Sequence, residues 1–89
     1  MPESSEVQVA MPSDVALHAR PAGLFVKTAM QFRSQIQVAA AGKAADAKSI
    51  LSVLALGAKG GTLLTLTATG EDAANALQAL TTCVTDLTE

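Results

Sequence analysis

Residues 64–80 read LTLTATGEDAANALQAL, and the spacing of the apolar positions changes in the middle of that stretch. Leu64, Leu66 and Ala68 alternate with Thr65, Thr67 and Thr69, the pattern of a strand with one face in a core and the other in water. Gly70 interrupts it. Glu71 and Asp72 suit the positive end of a helix. Ala73, Ala76, Leu77, Leu80, Val84 and Leu87 then fall on one helical stripe. A strand with a polar outer face, followed at once by an amphipathic helix, predicts a sheet covered on one side only.

The same two periods recur upstream. Val7, Val9 and Met11 alternate with Glu6, Gln8 and Ala10 as a short strand, closed by the Pro12-Ser13-Asp14 loop. Ala22, Phe25, Val26, Ala29 and Met30 form the stripe of a helix over 19–33. Residues 35–40 alternate again, and Ala41-Gly42-Lys43 is a tight turn into a short returning strand over 43–46, a weaker hairpin signal than Asn-Gly. Residues 49–56 read as a short helix with Ser49 as N-cap and Gly57 as stop, and Lys59-Gly60-Gly61 is a turn. The order βαββαβα with short connections predicts an α+β fold. It is an open-faced two-layer β-sandwich, with a four-stranded, mainly antiparallel sheet and three helices on one face. Residues 1–89 are expected to form one domain, frayed over 1–4.

Composition narrows the function. The chain is 49% hydrophobic but 2% aromatic, so the core is built from Leu, Val, Ile, Met and Ala around Phe25 and Phe32. A lone Cys83 excludes an internal disulfide scaffold, and one cysteine with one histidine leaves no set of metal ligands, so no metal or cofactor is expected. Cys83, beside the last helical stripe, is expected to be a buried inert thiol. No apolar run approaches the roughly 20 residues of a membrane span. The polar, acidic start MPESSEVQV is not a signal peptide, which makes a reduced cytoplasmic compartment the expectation. All six basic residues lie between Arg20 and Lys59, opposed there only by Asp46, and the other seven acids lie outside. This positive middle is either a mixed solvated surface or a patch for an acidic partner or a phosphate. Nucleic acid is disfavoured, because no basic stripe and no set of surface aromatics is present.

The only histidine sits in Leu17-His18-Ala19-Arg20-Pro21-Ala22, where loop becomes helix. With His18 as N-cap, Pro21 falls in the first turn, where a missing N–H costs nothing. The unpaired amides and positive dipole end then face His18. A neutral imidazole there offers a ring nitrogen as nucleophile. A phosphoryl group placed on that nitrogen lies among backbone donors, with the Arg20 guanidinium as a planar fork beside it. Such a pairing suits reversible phosphoryl transfer. The plain alternative is a structural or nucleic-acid-binding domain in which His18 is only a cap. A hydrolase finds no support, since no nucleophile elbow or oxyanion loop is visible.

LHARPA at 17–22, followed by GLFVK, resembles the active-site stretch of HPr, the histidine-containing phosphocarrier family of the bacterial phosphoenolpyruvate-dependent sugar phosphotransferase system. The segment GKAADAKSILSVLALGAKGGTLLTLTATGEDAANAL at 42–77 resembles the same family, and the likeness runs over residues 5–88. The resemblance implies the HPr-like fold and a phosphocarrier rather than an enzyme with its own turnover. It implies that phosphorylated enzyme I phosphorylates His18 on Nδ1, that the group originates in phosphoenolpyruvate and passes to a histidine of enzyme IIA, and that Arg20 helps hold it. Ser49 matches the family's regulatory serine, a target of an ATP-dependent kinase and its phosphorylase. The bland reading of Ser49 is a helix cap. A second reading of the whole chain is a regulatory paralogue, acting in nitrogen or carbon control by phosphorylation-dependent binding.

Leu24 falls off the first helical stripe, and Ile50, Leu51 and Leu54 exceed what a short helix buries. With Gly23, Lys27 and Arg20 they predict an apolar patch with a basic rim, suited to transient partners. The resemblance assigns that patch to enzyme I and enzyme IIA. A monomer is expected. Two positions depart from the family pattern: Ala16, where many members have Gly, and Gly23, where members often have Ala.

Overall fold

The computed structural model describes residues 4–87. The strands are β1 (Ser4–Ala10), β2 (Gln35–Ala40), β3 (Lys43–Asp46) and β4 (Leu63–Thr69), and the helices are α1 (Ala19–Ala29), α2 (Ile50–Ala55) and α3 (Ala73–Thr85). The sheet runs β1-β4-β2-β3, and every neighbouring pair is antiparallel. Ser4, within the stretch expected to fray, opens β1 opposite Thr69; residues 1–3 lie outside the described residues.

Alternation decides which face of each strand is dry. Val9, Ile36, Val38, Ala40, Ala45, Leu64, Leu66 and Ala68 are buried on one side of the sheet. The helices cover that side. Phe25 of α1 has no exposed surface, and burying its ring stabilises the fold by roughly 2–3 kcal/mol. Gln35, Gln37, Thr65, Thr67 and Thr69 occupy the other face, which stays open to water. The hairpin between β2 and β3 turns on Ala41 and Gly42, both with positive φ (51° and 81°). That is the conformation of the favoured two-residue turn, but Ala41 adopts it against its Cβ, which is why the sequence signal is weak.

Helix α1 stops four residues short of the expected Arg33. The chain tightens at its end, with the Gln31 N–H donating to the Thr28 carbonyl at 3.2 Å and the Phe32 N–H to the Ala29 carbonyl at 3.2 Å. Met30 becomes the C-cap and is 65% exposed, not part of the buried stripe, because the chain leaves the helix there for β2. Cys83 is half-buried against the core rather than enclosed.

A polar clamp closes this end of the molecule. Asp72 sits at the N-cap position of α3, but its carboxylate does not cap that helix. It accepts instead from the Arg33 and Ser34 amides, each at 2.9 Å, and from the Ser34 hydroxyl. Ser34 is the one buried polar residue among those described. Lys48 donates from Nζ to the Phe32 carbonyl at 2.7 Å and ties the segment before α2 to the same turn.

The Ser34 hydroxyl bond and the Arg33 amide bond hold the Asp72 carboxyl below the usual carboxylate range. A lowered native value means that the stabilisation is complete above the unfolded value near about 4 and is lost as pH falls through the native value. The urea midpoint is therefore expected to drop on acidification below about pH 4. Asp72→Asn should remove that part of the dependence. An Asn variant with the same acid limb as the parent would contradict the clamp's contribution.

Candidate functional site

Residues 15–22 alternate between inside and outside. Val15 and Leu17 are buried before His18, and Pro21 and Ala22 are buried after Arg20, while His18, Ala19 and Arg20 are exposed. The flanking apolar residues anchor the chain in the core and lift the imidazole to the surface. His18 is the N-cap of α1, in extended conformation (φ −99°, ψ −165°), and its carbonyl accepts the Ala22 N–H at 2.8 Å. Its side chain makes no capping bond to the helix amides. The Ala19 and Arg20 amides have no acceptor within the helix at this end, and Pro21 has no N–H to leave unpaired. The arrangement puts the exposed His18 at the positive end of a helix, with the exposed Arg20 in that helix's first turn. An anion is well placed there.

The loop that delivers His18 rests on the loop after α2. The Met11 N–H donates to the Thr62 carbonyl at 2.8 Å, the Leu17 N–H to the Ala58 carbonyl at 2.8 Å, and the Gly61 N–H to the Met11 carbonyl at 3.2 Å. The sequence shows 59–61 only as a turn, and the adjacent glycines at 60 and 61 are its one sign of these long-range contacts. Ala16 needs no glycine's freedom, since Ala41 is the one non-glycine residue with positive φ among those described.

Leu24 (48% exposed), Ile50 (39%) and Leu51 (77%) stand out as large apolar side chains in water, on two helices that pack together, and Lys27 is exposed on α1. Leu54 is a correction to the expected patch. It is half-buried and packed on the core, because it lies beside the fully buried Val53 in the last turn of α2. Gly23 lies in α1 with open space where a Cβ would project. Gly23→Ala is expected to raise stability by about 0.5–1 kcal/mol, read as a higher urea midpoint, because only the backbone entropy of glycine is removed. A lower midpoint would show a native role for the missing side chain within the chain itself.

Ser49 is the N-cap of α2 and accepts the Ser52 N–H on its hydroxyl at 3.3 Å, and Gly57 (φ +62°) follows the helix at its other end. Ser49 is half-buried and Ile50 beside it exposed, so the serine lies at the edge of the apolar cluster. Among the described residues no group of three metal-ligating side chains forms, and no helix is long and apolar enough to cross a membrane.

Solved HPr structures share this architecture. HPr-C-His from Thermoanaerobacter tengcongensis superposes with a TM-score of 0.86 at 41% identity over 91% of each chain. An HPr dimer from the same organism gives 0.73 at 45% identity over 78% of this chain and 79% of that one. The fold is thus that of the HPr phosphocarriers. Residues 5–86 match the family model described as the PTS HPr component phosphorylation site. The phosphocarrier protein HPr of Buchnera aphidicola subsp. Acyrthosiphon pisum is 41% identical over 80 residues, covering 90% of this chain and 94% of that protein. The chain belongs to the PTS HPr family and is a phosphocarrier of the phosphotransferase system. Its partners are components of that system, and the regulatory-paralogue reading is not favoured.

Proposed function

We propose that His18 takes the phosphoryl group from phosphorylated enzyme I and passes it to a histidine of an enzyme IIA. The carrying observation is the exposed imidazole at the N-cap of α1, between side chains buried on both sides. In the forward step the lone pair of a His18 ring nitrogen, Nδ1 in the family pattern, forms a new P–N bond. The donor's P–N bond breaks and its electron pair returns to the donor imidazole. The bound group keeps its negative charge, which the Ala19 and Arg20 amides and the Arg20 guanidinium offset. In the second step His18 is the leaving group. The protein ends as it began, so it turns over nothing of its own.

Leu24, Lys27, Ile50 and Leu51, with the bare backbone at Gly23 and the half-covered Leu54, supply the docking face for both partners. A face this small suits a short-lived complex. Ser49 at its edge is a regulatory site in this reading: a phosphate there adds about two negative charges beside the apolar cluster while remaining acceptable to the helix end. Its kinase and phosphorylase are the remaining partners. We read residues 1–89 as one domain acting in the cytoplasm as a monomer. In support, the large exposed apolar residues described are only Leu24, Met30, Ile50, Leu51 and Leu63, few for the 2,000 Å² or more of an obligate interface, roughly.

Incubation with phosphoenolpyruvate and enzyme I tests the proposal. The chain should acquire a label that is lost in acid and kept in base, and that moves on to an added enzyme IIA. An acid-stable label, or none, would contradict a phosphohistidine.

A further inference from the structure

The loop of residues 57–62 has no part in the chemistry above, yet it is built against the backbone that presents His18. A Cβ placed on Gly60 would lie 2.3 Å from the Ser13 carbonyl oxygen, 2.8 Å from its carbon and 3.2 Å from the Pro12 carbonyl oxygen. These are backbone atoms, which cannot swing aside as a side chain can. Around this contact run hydrogen bonds at both ends of the 11–17 segment. The Gly61 N–H is shared between the Met11 and Pro12 carbonyls at 3.2 and 3.3 Å, and the Leu17 N–H reaches the Ala58 carbonyl at 2.8 Å. The 57–62 loop is itself stiffened, with the Thr62 N–H donating to the Lys59 carbonyl at 3.0 Å and the Lys59 N–H to the Thr62 hydroxyl at 3.1 Å.

We infer that Gly60 is a positioning residue for phosphoryl transfer: its missing side chain lets the 57–62 loop act as a strut that fixes the segment leading into His18, and so the direction of the imidazole. The inference rests on His18 as the phosphoryl acceptor. In-line transfer between two imidazoles demands close alignment of three atoms, and a displacement of about 1 Å in such a geometry is enough to slow the step by one or two orders of magnitude. The backbone hydrogen bonds and the Gly60 approach that make the strut run to residues 11–13, 17 and 54, not to Arg20, Leu24, Ile50 or Leu51. Disturbing it should leave docking alone and slow the chemical step.

The test measures transfer from phosphorylated enzyme I as a function of carrier concentration. Gly60→Ala is expected to lower kcat on the order of tenfold with KM within about twofold of the parent. Gly70→Ala, destabilised through a contact at the far end of α1, serves as the control and should keep the parent's kcat at a temperature where both variants are folded. Parent kcat in Gly60→Ala, or an equal loss in both variants, overturns the inference. If Gly60→Ala does not fold, Thr62→Val removes the acceptor for the Lys59 N–H without adding bulk. A smaller fall in kcat at constant KM is expected, and an unchanged kcat overturns the inference. Failure of the underlying reading shows separately, as a parent chain labelled at a residue other than His18.

Discussion

His18→Ala should abolish acid-labile labelling by phosphoenolpyruvate and enzyme I, and change folding stability by no more than about 1 kcal/mol. The two halves of this expectation come from the same geometry. The ring is exposed at the N-cap, and the burial that holds the segment belongs to Val15, Leu17, Pro21 and Ala22. The helix start does not depend on the imidazole as a cap, since it makes no capping bond there. The chemical loss should be total because His18 is the only histidine in the chain. The measurement pairs label incorporation with a urea titration of the same sample. Residual acid-labile label would remove His18 from the mechanism. Loss of label together with loss of the folded state would leave a structural role as the cause.

Gly70→Ala should cost far more stability than Gly23→Ala or Gly57→Ala. Gly70 joins β4 to α3 with φ of +145°, a conformation that side chains rarely adopt. A Cβ there would lie 2.5 Å from the Ser34 oxygen, 2.9 Å from the Ser34 Cα and 3.0 Å from its Cβ. Strain and overpacking each contribute about 1–3 kcal/mol, so a loss of about 3 kcal/mol is expected, or a Tm lower by roughly 12–24 °C. Gly57→Ala separates the two causes. Its φ is also positive at +62°, but its Cβ would meet open space, so about 1–2 kcal/mol of strain is all it should show. Equal losses in the two variants would mean that the approach to Ser34 adds nothing.

Much of this molecule was legible because its two periods are clean. The alternation of Leu64, Leu66 and Ala68 and the stripe of α3 each follow from one buried face, and burial is what the pattern records. The LHARPA stretch was legible for a different reason: a proline in a first turn, a histidine before it and an arginine between them form a local arrangement that needs no long-range partner. What escaped the reading was long-range. Asp72 was read as a helix-end acid, correctly placed, but its carboxylate serves Arg33 and Ser34, residues far off in the chain that its neighbours do not reveal. The Lys48 bond is hidden in the same way, since its partner is a backbone carbonyl sixteen residues away. Met30 fits the stripe by spacing, and only the end of α1 at Ala29 removes it. Leu54 fits an exposed patch by surplus, and only the closing of α2 on the core covers it.

The Asp72 clamp and the exposed imidazole lie at opposite ends of α1, and that separation has an outcome for divergence. The exposed Leu24, Ile50 and Leu51 at the imidazole's end carry little of the cohesion of the scaffold, so drift there is cheap in melting temperature. A lineage can change this end of its carrier one surface residue at a time, while the distant carboxylate still ties the far end of the framework together.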